Sequence, residues 1–341
     1  MKVLVTGGAG FIGSNFVRFL LNVRRDLEIV NFDKLTYAGN PESLADIAQD
    51  PRYHFVCGDI TDRNAVAELF ARRFDAVVHF AAETHVDRSI EDASPFLKTN
   101  ILGTHCLLEA VRNFPRTRFI HISTDEVYGS APAGVRFVEE SPLDPRSPYA
   151  ASKASAEHFV TAYANTYGIS SVILRCTNNF GPFQFPEKLI PLMIANASEG
   201  KPLPVYGDGL QERDWLFVED YCRAIALALE KAKTGSVYNV SSGVSQPNLK
   251  IVRTILQLLG KPDSLIQYVQ DRPGHDRRYA LDSSKIQREL GWSPQVNFED
   301  GVRKTIAWYR DHSEWLDHAR SGEYRNYYDR HYNRRSETFR S

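Results

Sequence analysis

The sequence has few cysteines, no excess of charge of one sign and no long hydrophobic run. Four of its 341 residues are cysteines, and they form neither a CxxC motif nor another spacing typical of metal ligands. A disulfide framework and a structural zinc site are therefore not expected. We also expect no metal ion in the functional site.

The charge balance argues against a nucleic-acid partner. Lysine and arginine number 41 against 42 acidic residues, whereas a protein that binds along a phosphate backbone needs a basic surface. No apolar stretch reaches the roughly 18 residues of a membrane helix, and the first apolar run is too short for a signal sequence. We expect no membrane partner and a location in the cytoplasm.

The first half of the chain alternates two kinds of apolar pattern. Short runs bounded by polar residues predict buried strands at KVLVTG, EIVNFD, DAVVHFAAE and RFIHISTDE. Apolar residues at every third or fourth position predict helices at FIGSNFVRFLL, 95–114 and 149–168. This alternation is typical of an α/β protein with a Rossmann-type, doubly wound parallel sheet.

Three glycines mark a candidate dinucleotide site. Gly7, Gly10 and Gly13 follow the first predicted strand and open the first predicted helix, where a pyrophosphate can approach backbone N–H groups. Asp33 ends the second strand, where a carboxylate binds ribose hydroxyls and repels the additional phosphate of NADP. These residues predict NAD. Asp59, after the third strand, fits an adenine contact and a helix cap equally well.

A tyrosine and a lysine form the first catalytic candidate. Tyr149 and Lys153 are four residues apart on a predicted helix, so that both side chains project from one face. A nearby ammonium favours phenolate and lowers the pKa of a tyrosine. The pair is therefore suited to removing a proton from an alcohol as that alcohol is oxidised.

Two adjacent carboxyls form the second candidate. Thr124, Asp125 and Glu126 end a predicted strand, and ligands bind at the carboxyl ends of parallel strands. Oxidation of an alcohol needs no carboxyl pair. Elimination of water needs both an acid and a base, because a base removes a proton from carbon while an acid protonates the departing hydroxyl. A pair of carboxyls can supply both.

Seven motifs resemble those of a known family. They are DKLTYAGN (33–40), HFAAETHVDRSI (79–90), STDEVYG (123–129), PYAASK (148–153), FGPFQFPEKLIP (180–191), PVYGDG (204–209) and DRPGHDRRY (271–279). With them, most of residues 1–310 resembles the extended short-chain dehydrogenases/reductases, and among these the dTDP-glucose 4,6-dehydratases. The resemblance implies an NAD-dependent hydro-lyase that converts dTDP-glucose to dTDP-4-keto-6-deoxy-glucose.

The resemblance also implies a role for each catalytic candidate. Tyr149 would take the proton of the 4-hydroxyl as C4 is oxidised, with Lys153 lowering its pKa and Thr124 hydrogen-bonding the oxygen. Glu126 would then remove the C5 proton while Asp125 protonates the 6-hydroxyl, which leaves as water. The hydride would return to C6, so that bound NAD is recycled.

Two sets of ligand contacts follow from the same motifs. The implied NAD contacts are Gly7, Gly10, Phe11, Ile12, Gly13, Asp33, Lys34, Leu35, Thr36, Asp59, Ile60, Ala81, Ala82, Thr99, Tyr149, Lys153 and Asn179. The implied substrate contacts are His85, Thr124, Asn178, Lys188, Leu189, Pro204, Val205, Tyr206, Arg213, Asn248, Asp271, Arg272 and His275.

Prolines break the second half into short elements, which predicts a smaller mixed region there. We expect residues 1–180 to form the NAD-binding domain with the catalytic residues. Residues 181–320 would mainly bind the nucleotide sugar, with some segments returning to the large sheet, and 321–341 would be a tail. The resemblance implies a homodimer joined through helices near 93–113 and 148–167, although these helices could instead pack within one chain.

Two alternatives stay open at this stage. A nucleotide-sugar 4-epimerase or a UDP-glucuronate decarboxylase would use the same scaffold, tyrosine, lysine and NAD, but an epimerase needs no acid at Asp125. A non-catalytic NAD-binding protein would keep the fold without the chemistry. The intact set of catalytic candidates argues against this second alternative.

Overall fold

The computed structural model describes residues 1–321, which form one seven-stranded sheet, two small sheets and the helices around them. The predicted Rossmann-type sheet with a smaller mixed region is confirmed. The large sheet consists of β1 (Lys2–Thr6), β2 (Glu28–Asp33), β3 (Tyr53–Cys57), β4 (Ala76–His79), β5 (Arg118–Thr124), β6 (Ser171–Cys176) and β10 (Ser236–Val240).

All neighbouring strands of the large sheet are parallel, in the order β10-β6-β5-β4-β1-β2-β3. The chain runs outward from β1 to β2 and β3, and then returns to place β4 on the other side of β1. The direction of winding therefore changes between β1 and β4. In a sheet of this kind the crevice at such a switch point is where ligands bind.

Helices cover both faces of this sheet because successive strand residues point to opposite sides. Val3 and Val5 share a core with α1 (Phe11–Val23), α8 (Val218–Lys231) and α10 (Ser284–Leu290). Leu4 faces the other core, formed with α2 (Arg63–Phe70), α5 (Thr104–Arg112) and α6 (Pro148–Tyr167). The remaining helices are α3 (Val86–Glu91), α4 (Ser94–Phe96), α7 (Leu189–Ser198), α9 (Asn248–Leu259), α11 (Phe298–Asp311) and α12 (Ser313–Ala319).

The helix predicted over 95–114 is interrupted by a change of helical type. Residues Leu97–Gly103 form a π-helix between α4 and α5, with wider turns than an α-helix. Asn100 lies in this segment and binds the backbone of Glu83, whose N–H donates to Asn100 Oδ1 at 2.8 Å. Apolar spacing did not reveal the change because α- and π-turns present similar apolar stripes over so short a length.

The small sheets take the later strands of the chain. One contains β7 (Asn178–Phe180), β9 (Glu212–Phe217) and β11 (Ser245–Pro247), and the other pairs β8 (Leu203–Tyr206) with β12 (Ile266–Val269). They share a third core with α7, α9, α11 and α12. No helix within residues 1–321 combines the length and hydrophobicity needed to cross a membrane. The predicted tail lies outside the described residues, apart from Ser321.

Candidate active site

The main cavity lies along the carboxyl ends of the central strands. Its wall includes the turn after β1 that contains Gly7, Gly10 and Gly13, here called the glycine turn. It also includes the ends of β2, β4 and β5, and the start of α6. All five catalytic candidates line it, as does every implied NAD contact except Leu35. The structure thus brings the candidate cofactor and catalytic residues into one continuous site.

The glycine turn leaves no room for side chains. Gly7 has a φ of +72°, and a Cβ there would lie 2.5 Å from the backbone nitrogen of Ala81. A Cβ on Gly13 would lie 2.3 Å from the carbonyl oxygen of Gly7. No side chain caps α1 at Gly10, so the first N–H groups of the helix remain available to a pyrophosphate.

The Asp33 carboxylate organises the end of the cavity that is predicted to bind adenosine. Its Oδ2 accepts from the N–H of Ala9 at 2.9 Å, and its Oδ1 accepts from the N–H of Leu35 at 2.8 Å. These bonds tie the glycine turn to the loop after β2. Each oxygen keeps a further lone pair for a ribose hydroxyl, and Leu35 contributes through this bond without lining the cavity.

Asp59 does not cap the helix that follows it, because Asp62 is the residue whose side chain caps α2. Asp59 lines the cavity, accepts from the N–H of Thr61 at 2.9 Å and pairs with Lys34 at 2.7 Å. The ion pair covers part of the adenosine end. Farther along the cavity, Asn178 and Asn179 each have a buried Oδ1 without a hydrogen-bond partner among residues 1–321. These unpaired oxygens can accept hydrogen bonds from NAD, and the uncapped N–H groups at the glycine turn can donate to its pyrophosphate. The cavity therefore fits NAD.

The carboxyls of Asp125 and Glu126 are positioned by the turn that follows the end of β5. The Thr124 hydroxyl accepts from the N–H of Glu126 at 3.2 Å, which starts a 3₁₀ turn over Asp125–Tyr128. The same hydroxyl donates to Oδ1 of Asp125 at 3.2 Å. Oδ2 of Asp125 is buried and has no hydrogen-bond partner among the described residues.

The carboxyls differ in electrostatic environment. Burial raises the pKa of Asp125 well above its ordinary value, and the neighbouring Glu126 adds to the rise. Burial also raises the pKa of Glu126, but Arg272, Arg213 and Lys188 act in the opposite direction. Asp125 is therefore suited to carry a proton, and Glu126 to accept one. Two carboxyls with different surroundings can divide the roles of acid and base.

The tyrosine and lysine are both buried at the start of α6. This helix begins with Ser147 as its cap and Pro148 at its first position. The backbone N–H of Tyr149 donates to Ser89 Oγ at 3.2 Å, and Lys153 Nζ donates to the carbonyl oxygen of Ile122 at 2.6 Å. The two side chains are thus held against the end of β5.

The pKa of Tyr149 differs from the sequence prediction. Burial raises it well above its ordinary value, and the Glu126 charge raises it further, while a hydrogen bond with Thr124 acts the other way. Burial also lowers the pKa of Lys153 to about 8, against the charge of Glu157. Desolvation is therefore the largest cause of both pKa shifts in the protein alone.

We expect Lys153→Met to stabilise the fold at neutral pH. An unfolded lysine keeps its proton up to a pKa near 10.5, whereas the folded one loses it near 8, so burying the charged form costs about 3 kcal/mol below pH 8. The gain should shrink as pH rises from 8 towards 10.5. Thermal unfolding of both proteins, stripped of NAD, at pH 7 and pH 9.5 tests this. A variant that is less stable at pH 7 would contradict it.

The implied substrate residues lie in three places. Thr124, Asn178 and Lys188 line the main cavity. A second group is joined by Asp87, which accepts from the Tyr206 hydroxyl at 2.9 Å and from Arg272 Nη1 at 3.2 Å. His275 and Asp271 are 2.6 Å apart in this group, and Arg213 is buried against the ring of Tyr279. The others lie at element ends or on β8: His85, Leu189, Pro204, Val205 and Asn248.

Comparison with known proteins places this site in a family. The family model described as GDP-mannose 4,6 dehydratase matches residues 4–305. The dTDP-glucose 4,6-dehydratase 1 of Escherichia coli strain K12 is 51% identical, over 97% of this chain and 99% of that protein. The chain belongs to the dTDP-glucose 4,6-dehydratase family. The resemblance inferred from the motifs is thereby confirmed.

Solved structures agree with this assignment. A dTDP-glucose 4,6-dehydratase from Streptomyces venezuelae, determined with NAD bound, has a TM-score of 0.91 and 49% identity, covering 94% of this chain and 100% of that one. A UDP-glucose 4-epimerase from Thermus thermophilus, in complex with NAD, has a TM-score of 0.85 at 35% identity, covering 92% of this chain and 100% of that one. The dehydratase family therefore shares its fold with epimerases.

Several residues of the site were not singled out from the sequence. Glu83, Cys176, Gln184 and Glu187 line the cavity, and Asp87 holds Tyr206 and Arg272. All except Cys176 fall inside the quoted motifs, and the available signal was the presence of the carboxyls Glu83, Asp87 and Glu187 in those motifs. Among residues 1–321 no group of three or more His, Cys, Asp or Glu side chains is arranged to hold a metal ion.

Proposed function

We propose that the protein dehydrates dTDP-glucose to dTDP-4-keto-6-deoxy-glucose, with NAD retained and recycled. The observation that carries this proposal is the pair Asp125 and Glu126, which lies beside Tyr149 in the cavity that begins at the glycine turn. Oxidation at C4 alone would leave both carboxyls without a role. Elimination of water gives each of them one.

Tyr149 acts first, as the base for the 4-hydroxyl. Thr124 lies within reach of both its hydroxyl and Asp125, which supports a contact between Thr124 and the sugar oxygen. NAD, when bound, takes up the hydride from C4 and later gives it back at C6. Lys153, fixed on Ile122, supplies a positive charge beside the phenolate below its pKa of about 8.

Glu126 and Asp125 act next. Once C4 is a ketone, the C5 proton is acidic, and Glu126 removes it. Burial raises the pKa of Asp125 well above its ordinary value and so favours its protonated form, and Asp125 gives that proton to the departing 6-hydroxyl. The opposite assignment of acid and base fits less well, since Arg272 and Lys188 favour the ionised form of Glu126, whereas the Glu126 charge disfavours ionisation of Asp125.

A 4-epimerase fits the same fold but fits this site less well. An epimerase rotates the 4-keto sugar and returns hydride to C4, so it has no departing hydroxyl and no use for a protonated Asp125. The epimerase comparison is 35% identical, against 51% for a dehydratase relative. The decarboxylase alternative likewise leaves the carboxyl pair unexplained.

The proposed function is tested by incubating the protein with dTDP-glucose and with UDP-glucose. We expect a 4-keto-6-deoxy product, detected by its absorbance in alkali, with dTDP-glucose as the better substrate. Formation of dTDP-galactose would instead establish epimerisation. An NAD-loaded protein that turns over neither sugar nucleotide would contradict an enzymatic role.

Arg272 offers a prediction about substrate affinity. Its guanidinium is held by Asp87 and faces Glu126, and a planar fork of donors suits a pyrophosphate. We expect Arg272→Met to raise the KM for dTDP-glucose about 10- to 100-fold, the usual cost of losing a hydrogen bond to a charged group. Initial-rate kinetics measure this, with Arg277→Met, at an exposed ion pair with Asp208, as the control. An unchanged KM would remove Arg272 from the substrate site.

We also propose a homodimer formed through the helices around α5 and α6. Leu97, Leu102, Phe159 and Tyr167 leave large apolar surfaces uncovered on these helices, with Leu102 59% exposed. Apolar patches of this kind are typical of protein interfaces. Light scattering should give twice the mass of the chain, and a monomer would contradict the proposal.

We place the protein in the cytoplasm, a reducing compartment that suits its four free cysteines.

A further inference from the structure

One segment of the second half borders the main cavity. Residues 182–188, here called the strap, follow β7 and lead into α7. Gln184, Phe185, Glu187 and Lys188 of the strap line the cavity together with the glycine turn and the loop after β2. The strap therefore forms part of the wall of the site that fits NAD.

The first part of the strap is fastened to α1 and to the C-terminal helices. Asn15 Nδ2 donates to the carbonyl oxygen of Pro182 at 2.9 Å. Phe183 is packed between Arg18, whose guanidinium lies 4.2 Å from its ring centre, and Trp308, at 4.5 Å between ring centres. These contacts anchor this end of the strap to α1 and α11.

The second part meets the loop after β2 at Tyr37. The Tyr37 hydroxyl donates to Glu187 Oε1 at 3.2 Å, across 150 positions of sequence. The Arg88 guanidinium lies over the Tyr37 ring, 3.8 Å from its centre, and its Nη2 is 3.6 Å from Glu187 Oε2. The rings of Phe185 and Tyr37 also meet edge to face, with centres 5.7 Å apart.

This contact joins the two sides of the cavity. Tyr37 follows Asp33 by four residues, on the side predicted to bind adenosine, whereas Glu187 precedes Lys188, which lines the catalytic side. The Glu187 side chain is only 2% exposed, so opening the cavity would expose it and separate it from Tyr37. A buried carboxylate that loses a partner is costly.

We propose that Tyr37 and Glu187 form a latch that keeps the strap closed over bound NAD and so slows its exchange. The proposal rests on the proposed function, in which the electrons taken from C4 return to the same sugar and NAD never needs to leave. Tyr37 and Glu187 are positioning residues in this account. They hold the strap and take no part in the chemistry.

The rate of NAD exchange tests the latch. Holoenzyme is mixed with a large excess of a fluorescent NAD analogue, and the NAD that remains on the protein is measured by chromatography over time. We expect Tyr37→Phe to accelerate NAD loss about tenfold, the effect of removing one hydrogen bond to a charged acceptor. Glu187→Gln keeps an acceptor for Tyr37 and should fall between Tyr37→Phe and the wild type.

Tyr238→Phe is the matched control. Its hydroxyl donates to Glu289 at 2.7 Å and Lys285 lies over its ring, an arrangement like that of the latch but on β10, outside the main cavity. The control should exchange NAD at the wild-type rate. Equal exchange by Tyr37→Phe and the wild type, or equal acceleration in the control, would overturn the latch alone. A wild-type protein that binds no NAD would overturn the proposed function with it.

Discussion

Replacing Tyr149 with phenylalanine should abolish the first oxidation of the sugar. Tyr149 is the only phenol among the residues that line the main cavity within the described chain, so its loss leaves the 4-hydroxyl without this base. We expect the rate of NADH formation to fall about 10²- to 10⁴-fold, as is usual when a general base is removed. Near-ultraviolet absorbance after rapid mixing with dTDP-glucose measures that rate.

The ring at position 149 should stay in place in this variant. Phe96 contacts the edge of the ring, and the hydrogen bond to Ser89 comes from the backbone. Tyr238→Phe again serves as a control for the loss of a hydroxyl. Because burial raises the pKa of Tyr149, the wild-type oxidation should also become faster as pH rises from 6 to 8. NADH formation at an undiminished rate in Tyr149→Phe would remove this residue from the mechanism.

Asp125→Asn and Glu126→Gln should separate oxidation from dehydration. Each variant keeps the shape of the side chain but removes its ability to exchange a proton, so elimination should slow about 10²- to 10⁴-fold while oxidation continues. NADH should therefore appear in a single turnover and persist. In the wild type it should rise and decay.

The two carboxyl variants also test the division of roles. Both should accumulate reduced cofactor and the 4-keto sugar that still carries its 6-hydroxyl, which mass spectrometry of the quenched reaction can identify. Glu126→Gln should additionally slow exchange of the C5 proton with solvent, because it lacks the base. Wild-type dehydration rates in both variants would show that the carboxyls are not the acid and base.

Much of the fold could be predicted because its signals are local. Strand and helix patterns in the first half alternate over short distances, and Ser147, Pro148 and Gly168 mark the ends of α6 in the sequence. The large sheet then follows from the regular handedness of such units. The glycine turn and Asp33 were recognisable for the same reason.

Features that depend on distant residues could not be predicted. The π-helical segment is associated with the contact between Asn100 and Glu83, and the strap with the contact between Tyr37 and Glu187. The raised pKa of Tyr149 likewise depends on how deeply the folded chain buries it. Sequence spacing placed Lys153 beside Tyr149, but it carried no measure of desolvation.

The site also contains groups whose burial is unfavourable to stability. Lys153, Asp125 and Glu126 lie in the interior of the described structure. Their burial lowers the pKa of the lysine and raises those of the carboxyls, so that the neutral form of each group is favoured. Such conflicts with stability are expected where function requires them. They are concentrated here around the end of β5, where the chemistry is proposed to occur.

The central claim is that the hydride taken from C4 returns to C6 of the same sugar after water has left. It is tested most directly by a single turnover with dTDP-glucose that carries deuterium at C4. The account predicts that the 6-deoxy product contains that deuterium at C6, as shown by proton NMR and mass spectrometry. Deuterium found again at C4 of a galactose or glucose product, or a 6-deoxy sugar without the label, would contradict it.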